Sequence, residues 1–168
     1  MDADKLRAVQ APLKGRYRQE PEAAVVTLSA TGSLGEGVSC SVQTARAIAE
    51  AGLHPATGGD GSELCSGDML LEALVACAGV TLKAVATALD IPLRSGHVSA
   101  EGDLDFRGTL GVDKTAPVGF AQIRLRFDVD TGAPQEKLDQ LLKLTERYCV
   151  VYQTIRKGPP VEVKLERG

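Results

Sequence analysis

The sequence predicts an α+β domain, because segments with two different hydrophobic periods follow one another along the chain of 168 residues. Residues 37–44 place Val38, Cys40 and Val42 on one side and serines on the other. That period of two is typical of a half-buried strand. Residues 68–89 are apolar on nearly every face, which is typical of a helix enclosed in a core. Strands before and after two helices favour the α+β class.

The remaining elements are predicted from turn residues and apolar periodicity. The central helix is expected to begin with Ser66 as N-cap and Asp68 in its first turn, and to end at 90–92. A second helix is expected from Pro134, with an apolar stripe that includes Cys149 if the helix is continuous. The other predicted segments are strands over 23–30, 96–106, 119–129 and 160–166, a short helix or continued strand over 45–51, and a loop over 54–61.

Length and composition bound the function classes. We expect residues 1–168 to form one domain with a single substantial core, and 1–22 to be an N-terminal arm or edge strand. The formal net charge is −3, no run of Lys or Arg forms a basic stripe, and aromatic residues make up 4%. These values argue against nucleic acid and against an anionic membrane surface as partners.

Targeting signals are not recognisable in the first twenty residues, which lack the apolar stretch of a secretory signal. Glu72 and Lys83 interrupt the apolar region 69–89, which favours a buried helix over a membrane span. We therefore expect a cytoplasmic protein, in which thiols stay reduced.

The four cysteines, Cys40, Cys65, Cys77 and Cys149, contain no Cys-x-x-Cys pair, and the chain has 2 His. This spacing disfavours a metal site. Cys40 lies on the apolar side of its strand and is expected to be structural. Cys65 is expected to make a contact at the start of the central helix, or to act as an alternative resolving thiol.

Cys77 and Cys149 each lie in an apolar run. A thiol in a nonpolar pocket, with a second thiol in reach, can reduce a peroxide: the first becomes a sulfenic acid and the second condenses with it to a disulfide. The alternative is that both are small, packed core residues, since free Cys is among the most buried residue types.

Residues 66–82 (SGDMLLEALVACAGVTL) resemble the first cysteine motif of the OsmC/Ohr family, which contains osmotically inducible protein C and the organic hydroperoxide resistance proteins. Residues 146–155 (ERYCVVYQTI) are similar to its second motif, which usually reads Cys-Pro-Val. The resemblance extends from about residue 23 onward. It implies an OsmC-like fold, in which β-sheets wrap around two central helices in an intertwined homodimer.

The same resemblance implies that Cys77 is the peroxidatic thiolate and Cys149 the resolving thiol. The substrate would be an organic hydroperoxide, and the reductant a dithiol such as a dihydrolipoyl protein. No metal, flavin or haem cofactor would be needed.

An apolar pocket favours an alkyl hydroperoxide by about 0.8 kcal/mol per buried methylene. The same pocket opposes ionisation of Cys77, so the thiolate needs a cation or strong donors close by. In the family an Arg does this, held by a Glu ten residues before the cysteine, where this chain has Gly67. Asp68 follows, but about 900° of helical rotation places it opposite Cys77. We predict Arg18 as the cation, with Arg16 and Arg46 as alternatives.

These observations predict a thiol-dependent peroxidase for organic hydroperoxides, acting in oxidative-stress defence. Two alternatives remain open. The first is a noncatalytic protein that binds a lipid-like molecule in the apolar pocket. The second is a redox sensor whose disulfide signals to a partner.

Overall fold

A computed structural model describes residues 2–5, 8, 10–11, 19, 31–34, 39–43, 48–111 and 113–167, with backbone alone for 31–48. The described positions before residue 20 are helical apart from residue 2, so the edge-strand alternative for the N-terminal arm is wrong at those positions. The predicted strand over 23–30 lies outside the described residues.

The first sheet is built from four short strands in the order of the sequence. They are β1 (Thr31–Leu34), β2 (Ser39–Gln43), β3 (Ile48–Gly52) and β4 (Leu64–Cys65). The first three are antiparallel neighbours, whereas β4 runs parallel to β3. Within the described residues, β2 confirms the strand predicted over 37–44, and β3 shows a strand at 48–51 of the segment 45–51. The predicted loop over 54–61 contains one 3₁₀ turn, Pro55–Thr57.

The central helix, α1, spans Ser66–Ala88. The prediction that Ser66 is its N-cap is wrong, because the cap is Cys65 and Ser66 is the first helical residue. Cys65 is held extended, with φ −81° and ψ 127°, since it pairs with Gly52 of β3 until the helix begins. The helix ends at Leu89, and Asp90 follows with φ 51°.

A second sheet pairs β5 (Ser95–Asp103) with β6 (Gln122–Asp130) in antiparallel register. Alternate residues of β6 are exposed, which confirms its predicted period of two. On the outer face, Arg124 donates to Asp103 at 2.7 Å across the two strands. A one-turn helix between the strands, α2 (Phe106–Thr109), was not predicted.

Two helices follow where one was predicted: α3 (Gln135–Tyr148) and α4 (Val150–Lys157). Pro134 is the N-cap of α3 rather than its first residue. Cys149 separates the two helices, because its backbone is extended, with φ −72° and ψ 108°. Its N–H bonds the carbonyl of Thr145 at 2.9 Å and so completes α3, while its own carbonyl accepts from Gln153 at 3.0 Å and begins α4.

The strand predicted over 160–166 is wrong for this structure, because 158–167 pair with none of the described strands. The alternation that predicted it is present: Val161, Val163 and Leu165 are apolar and lie 80%, 87% and 100% exposed. A strand needs a neighbour to satisfy its backbone groups. The described part of the chain supplies none.

The core consists of two clusters that α1 connects. The helix packs against β5, α3 and α4, and buries Leu74, Ala78, Leu82, Val85 and Ala86. By length and composition α1 would also be long enough to cross a membrane. It packs against three other elements on one side, whereas Leu70 and Val80 are 40% and 72% exposed, so the described residues enclose only part of the helix that was predicted to be buried.

Candidate functional site: a hydrogen-bonded thiol pair

The structure brings Cys77 and Cys149 together, and their thiols are hydrogen-bonded to each other. Cys77 lies in the middle of α1 and is half-buried, whereas Cys149 is 1% exposed. Leu74 and Ala78, one turn before Cys77 and one residue after it, are buried against Cys149. Because the two residues pack in one cluster and their thiols influence each other's pKa, a disulfide between them is a plausible product of oxidation.

The break between α3 and α4 positions Cys149. A buried threonine, Thr145, donates from Oγ1 to the carbonyl of Leu141 at 2.8 Å and occupies the turn before the break. Because the extended ψ of Cys149 ends one helix and starts another, Cys149 lies directly before the first turn of α4. The predicted inward direction of Cys149 is therefore confirmed, although the continuous helix on which that prediction depended is not.

Two opposing effects set the ionisation of Cys77. Burial raises the pKa of the Cys77 thiol, because the thiolate loses hydration. Hydrogen bonds from the Val151 N–H, the Cys149 thiol, the Val150 N–H and the Thr81 side chain lower it. The hydrogen bonds together outweigh burial, so the pKa of Cys77 lies below that of an ordinary thiol.

Cys149 is shifted in the opposite direction. Burial raises the pKa of the Cys149 thiol most, and the hydrogen bond and charge of Cys77 raise it further. The N–H groups of Tyr152 and Val151 lower it, but by less. Of the pair, Cys77 therefore ionises first, while Cys149 keeps its proton and donates it to the neighbouring sulfur.

An apolar shell surrounds the pair. Beside it lies a cavity of about 280 Å³, between α1, β6, α3 and α4. Its apolar lining is Leu74, Ile123, Leu125, Phe127, Leu142, Tyr152 and Ile155. Glu146 and Arg156 are its charged lining residues, and Arg156 donates to the Tyr152 hydroxyl at 3.2 Å. The cavity does not contact either sulfur, so its wall separates it from the thiols.

The predicted cation cannot be located in this structure, because Arg18 and its alternatives Arg16 and Arg46 lie outside the described residues. Among the residues that are described, no charged side chain contributes to the lowered pKa of Cys77. Asp68 is exposed and lines a separate depression with Cys65 and His54. Asp68 is thus remote from the thiol pair, as helical geometry predicted.

Sequence reasoning missed three donors to Cys77: the backbone N–H groups of Val150 and Val151 and the hydroxyl of Thr81. Backbone groups carry no residue signature, and only the helix break directs them at the sulfur. Thr81 lies one helical turn after Cys77, and the hydrogen bond that its hydroxyl makes in this structure is to the Cys77 carbonyl at 2.8 Å. That spacing of four residues was a usable signal.

A metal is not suggested by the geometry. Across the described ranges, no group of three or more His, Cys, Asp or Glu side chains is arranged to hold an ion. The reactive groups of this site are two thiols with different pKa values, and the residues packed around them are mostly apolar.

Comparison with known proteins agrees with this arrangement. The family model for OsmC-like protein matches residues 59–164, a range that contains both cysteines. The chain belongs to the OsmC family. No curated protein sequence matches it.

Solved structures of OsmC-like proteins share the fold at low sequence identity. An OsmC-like protein from Mycoplasma pneumoniae is 16% identical with a TM-score of 0.66, over 79% of this chain and 89% of that one. An organic hydroperoxide resistance protein OsmC from Legionella pneumophila is 19% identical with a TM-score of 0.62, over 80% and 92%. One from Elizabethkingia anophelis is 16% identical with a TM-score of 0.63, over 80% and 91%. These likenesses confirm the α+β, OsmC-like fold.

Proposed function

We propose that this OsmC-family chain is a thiol-dependent peroxidase that reduces organic hydroperoxides to alcohols. The observation that carries the proposal is the hydrogen-bonded pair of Cys77 and Cys149, in which the first has a lowered pKa and the second a raised one. A peroxidatic sulfur must be a thiolate at working pH, and its resolving partner must remain in reach. Two family neighbours that are organic hydroperoxide resistance proteins support the substrate class.

The cycle balances with these two residues and an external dithiol. The Cys77 thiolate attacks the distal oxygen of the hydroperoxide, the O–O bond breaks, and the alkoxide leaves as an alcohol after taking a proton. Cys77 is then a sulfenic acid. The Cys149 sulfur attacks it, a water molecule leaves, and a Cys77–Cys149 disulfide forms. A dithiol reduces this disulfide by exchange and is itself oxidised to a disulfide.

The first test is the mass of the reduced protein after one equivalent of cumene hydroperoxide. We expect a loss of about 2 Da that peptide mapping assigns to a Cys77–Cys149 crosslink. Cys149→Ser should stop at the sulfenic acid, whereas Cys65→Ser should crosslink as the parent does. Free thiols at both positions, or pairing of Cys77 with Cys65, would contradict the proposal.

Reductant, quaternary structure and location are parts of the same proposal. The reductant is a dithiol, for instance a dihydrolipoyl protein, and the enzyme is a cytoplasmic homodimer that requires no cofactor and binds neither nucleic acid nor membrane. Exposed apolar side chains at Val80, Val150 and Val163, which are 72%, 68% and 87% exposed, support an interface between two copies.

Arg18 remains the predicted cation that stabilises the Cys77 thiolate. Arg18→Gln should slow peroxide reduction more than Arg16→Gln.

A second candidate function is noncatalytic binding of a lipid-like molecule, which the apolar cavity of about 280 Å³ favours. A cavity of roughly half that volume binds benzene in another protein. Turnover separates the two functions. A binding protein would retain its affinity for a fluorescent fatty acid after Cys77→Ser and would show no turnover with excess hydroperoxide and dithiol.

A further inference from the structure

The wall between the apolar cavity and the two thiols consists of residues that contact both. The cavity of about 280 Å³ lies between α1, β6, α3 and α4, and neither Cys77 nor Cys149 is among its lining residues. The residues that line the cavity and also belong to the cluster around Cys149 are Leu74, Ile123, Leu125, Phe127, Tyr152 and Ile155. These six side chains form the partition between the cavity and the thiol pair.

Tyr152 extends from the thiol cluster to the surface of the protein. It lies three residues after Cys149 on α4 and packs against the buried cluster that contains Cys149. Its hydroxyl accepts a hydrogen bond from Nη1 of Arg156 at 3.2 Å, and Arg156 is exposed. A buried aromatic ring with a polar partner for its hydroxyl has a fixed orientation. Contacts at both ends therefore hold the Tyr152 ring in the wall.

The other members of the wall are more deeply built into the core or lie farther from the thiols along the chain. Three of them belong to β6 and form the sheet side of the site. Leu74 is 2% exposed, and Ile155 lies six residues after Cys149, almost two helical turns away. Tyr152 is half-buried. Its side chain can therefore be shortened with a smaller loss of core packing than that of Leu74.

We propose that Tyr152 is a specificity-determining residue of this site: its ring closes the apolar cavity off from Cys77 and so limits the length of the alkyl group that can lie beside the sulfur. The parent chain then favours compact hydroperoxides, and loss of the ring joins the cavity to the site, where a linear alkyl chain gains burial. The consequence for substrates rests on the proposed peroxidase function. The position of the ring does not, because access to Cys77 can be measured without any peroxide.

A second tyrosine provides a matched control. Tyr148 ends α3, is 58% exposed and does not line the cavity. Each of the two tyrosines has a guanidinium over its ring, that of Arg147 at 5.6 Å from the Tyr148 centroid and that of Arg156 at 6.0 Å from the Tyr152 centroid. Tyr152→Ala therefore removes a ring from the wall, and Tyr148→Ala removes the same ring from the surface. Tyr152→Phe keeps the ring and loses only the hydroxyl.

The first measurement is the ratio of kcat/KM for n-octyl hydroperoxide to that for tert-butyl hydroperoxide, with excess dithiol and the full-length chain. Each methylene that becomes buried is worth a factor of about four, so two of them predict a rise of at least about tenfold for Tyr152→Ala. Tyr152→Phe and Tyr148→Ala should keep the parent ratio. An unchanged ratio in Tyr152→Ala, or an equal rise in either control variant, would overturn the proposal.

Alkylation tests the same wall in the absence of peroxide. The rates at which N-octylmaleimide and N-ethylmaleimide modify Cys77 are followed by peptide mass in the reduced, full-length chain. The octyl-to-ethyl ratio should rise at Cys77 in Tyr152→Ala. It should stay constant at Cys65, which lines a separate depression and serves as a control within the same molecule. Equal Cys77 ratios in Tyr152→Ala and in the parent would overturn the proposal.

Tyr152→Leu keeps the proposal falsifiable if Tyr152→Ala does not fold. Leucine removes the ring but retains an apolar side chain against the thiol cluster, so the loss of packing is smaller. The alkylation ratio at Cys77 should rise here too, by less than in Tyr152→Ala. A Tyr152→Leu protein that unfolds cooperatively in urea and has the parent ratio would overturn the proposal.

The outcomes for the two proposals are separable. A raised alkylation ratio without turnover of either hydroperoxide refutes the peroxidase and keeps Tyr152 as the wall. Turnover whose chain-length ratio does not respond to Tyr152→Ala refutes the wall and keeps the peroxidase.

Discussion

At the scale of single residues, the ionisation of Cys77 depends on a balance between burial and directed donors. Burial alone raises the pKa of a thiol, sometimes by several units. Each hydrogen bond to a charged group is worth about 1.5–3 kcal/mol, and one pKa unit corresponds to about 1.4 kcal/mol. At Cys77 the hydrogen bonds outweigh burial, and the pKa of the thiol lies below its ordinary value.

The lowered pKa of Cys77 predicts a pH dependence. Because the thiolate is the nucleophile, the rate of peroxide reduction should rise with pH as Cys77 ionises and then level off. The half-rise should lie below that of a free cysteine, since the folded pKa is depressed. Stopped-flow rates of sulfenic acid formation in Cys149→Ser would not serve here, because that variant replaces the thiol donor with a stronger hydroxyl donor. The parent chain should be used, and a half-rise above the ordinary thiol range would contradict the assignment.

Thr81 offers a residue-scale test with a matched control on the same helix. Thr81→Val removes a hydroxyl that contributes to the lowered pKa of Cys77, so the pKa of the thiol should rise. Thr87 makes the same bond, to the Lys83 carbonyl at 2.8 Å, away from the site. Thr87→Val should leave the alkylation profile unchanged. The idea fails if both variants shift the profile alike.

At the scale of elements, α1 carries Cys77 on the side of the helix that packs against α4. Ala78 is 0% exposed and lies against Cys149, whereas Ala76 on the same helix is exposed. A small residue at 78 lets the two helices approach closely enough for their sulfurs to meet. The spacing of the thiols is therefore a property of helix packing.

Ala78→Leu should overpack this contact. We expect a loss of about 1–3 kcal/mol in the free energy of unfolding, measured in urea, and a lower yield of the Cys77–Cys149 disulfide after peroxide treatment. Ala76→Leu is the matched change on the exposed side and should cost less than about 0.5 kcal/mol. Equal destabilisation by both variants would show that Ala78 is not the close contact.

At the scale of the whole molecule, the segment 158–167 has the pattern of a strand without a described neighbour. Val161, Val163 and Leu165 alternate with Glu162, Lys164 and Glu166, and all are exposed. An exposed apolar face of this kind is typical of an interaction surface. It supports the proposed homodimer, in which a second copy would supply the missing neighbour.

Val163→Glu tests this segment. A charge on the apolar side should weaken the dimer at least tenfold, since burying an unpaired carboxylate costs more than about 1.4 kcal/mol. Lys164→Glu alters the charge of the other side and should weaken it much less. Analytical ultracentrifugation over a range of concentrations measures both. A monomeric parent, or equal effects of the two variants, would contradict a dimer built on this segment.

Local patterns were sufficient to predict much of this protein. The alternation in β2 and β6 and the apolar character of α1 are properties of neighbouring residues, and each produced a correct element. The two cysteine runs identified two thiols that the structure packs in one cluster. The helix predicted from Pro134 failed at Cys149, because no proline or glycine marks the break there. The strand predicted over 160–166 failed because a strand depends on a neighbour that the segment does not contain.

The sequence by itself determined the α+β class, the family resemblance and the identity of the two thiols, since these depend on composition, period and motif. Tertiary structure alone decided that the thiols pack against each other, that their pKa values move in opposite directions, and that a helix break lies at Cys149. The physical reason is that a pKa is set by groups gathered from distant parts of the chain. Backbone donors in particular become visible only when a helix begins beside the sulfur.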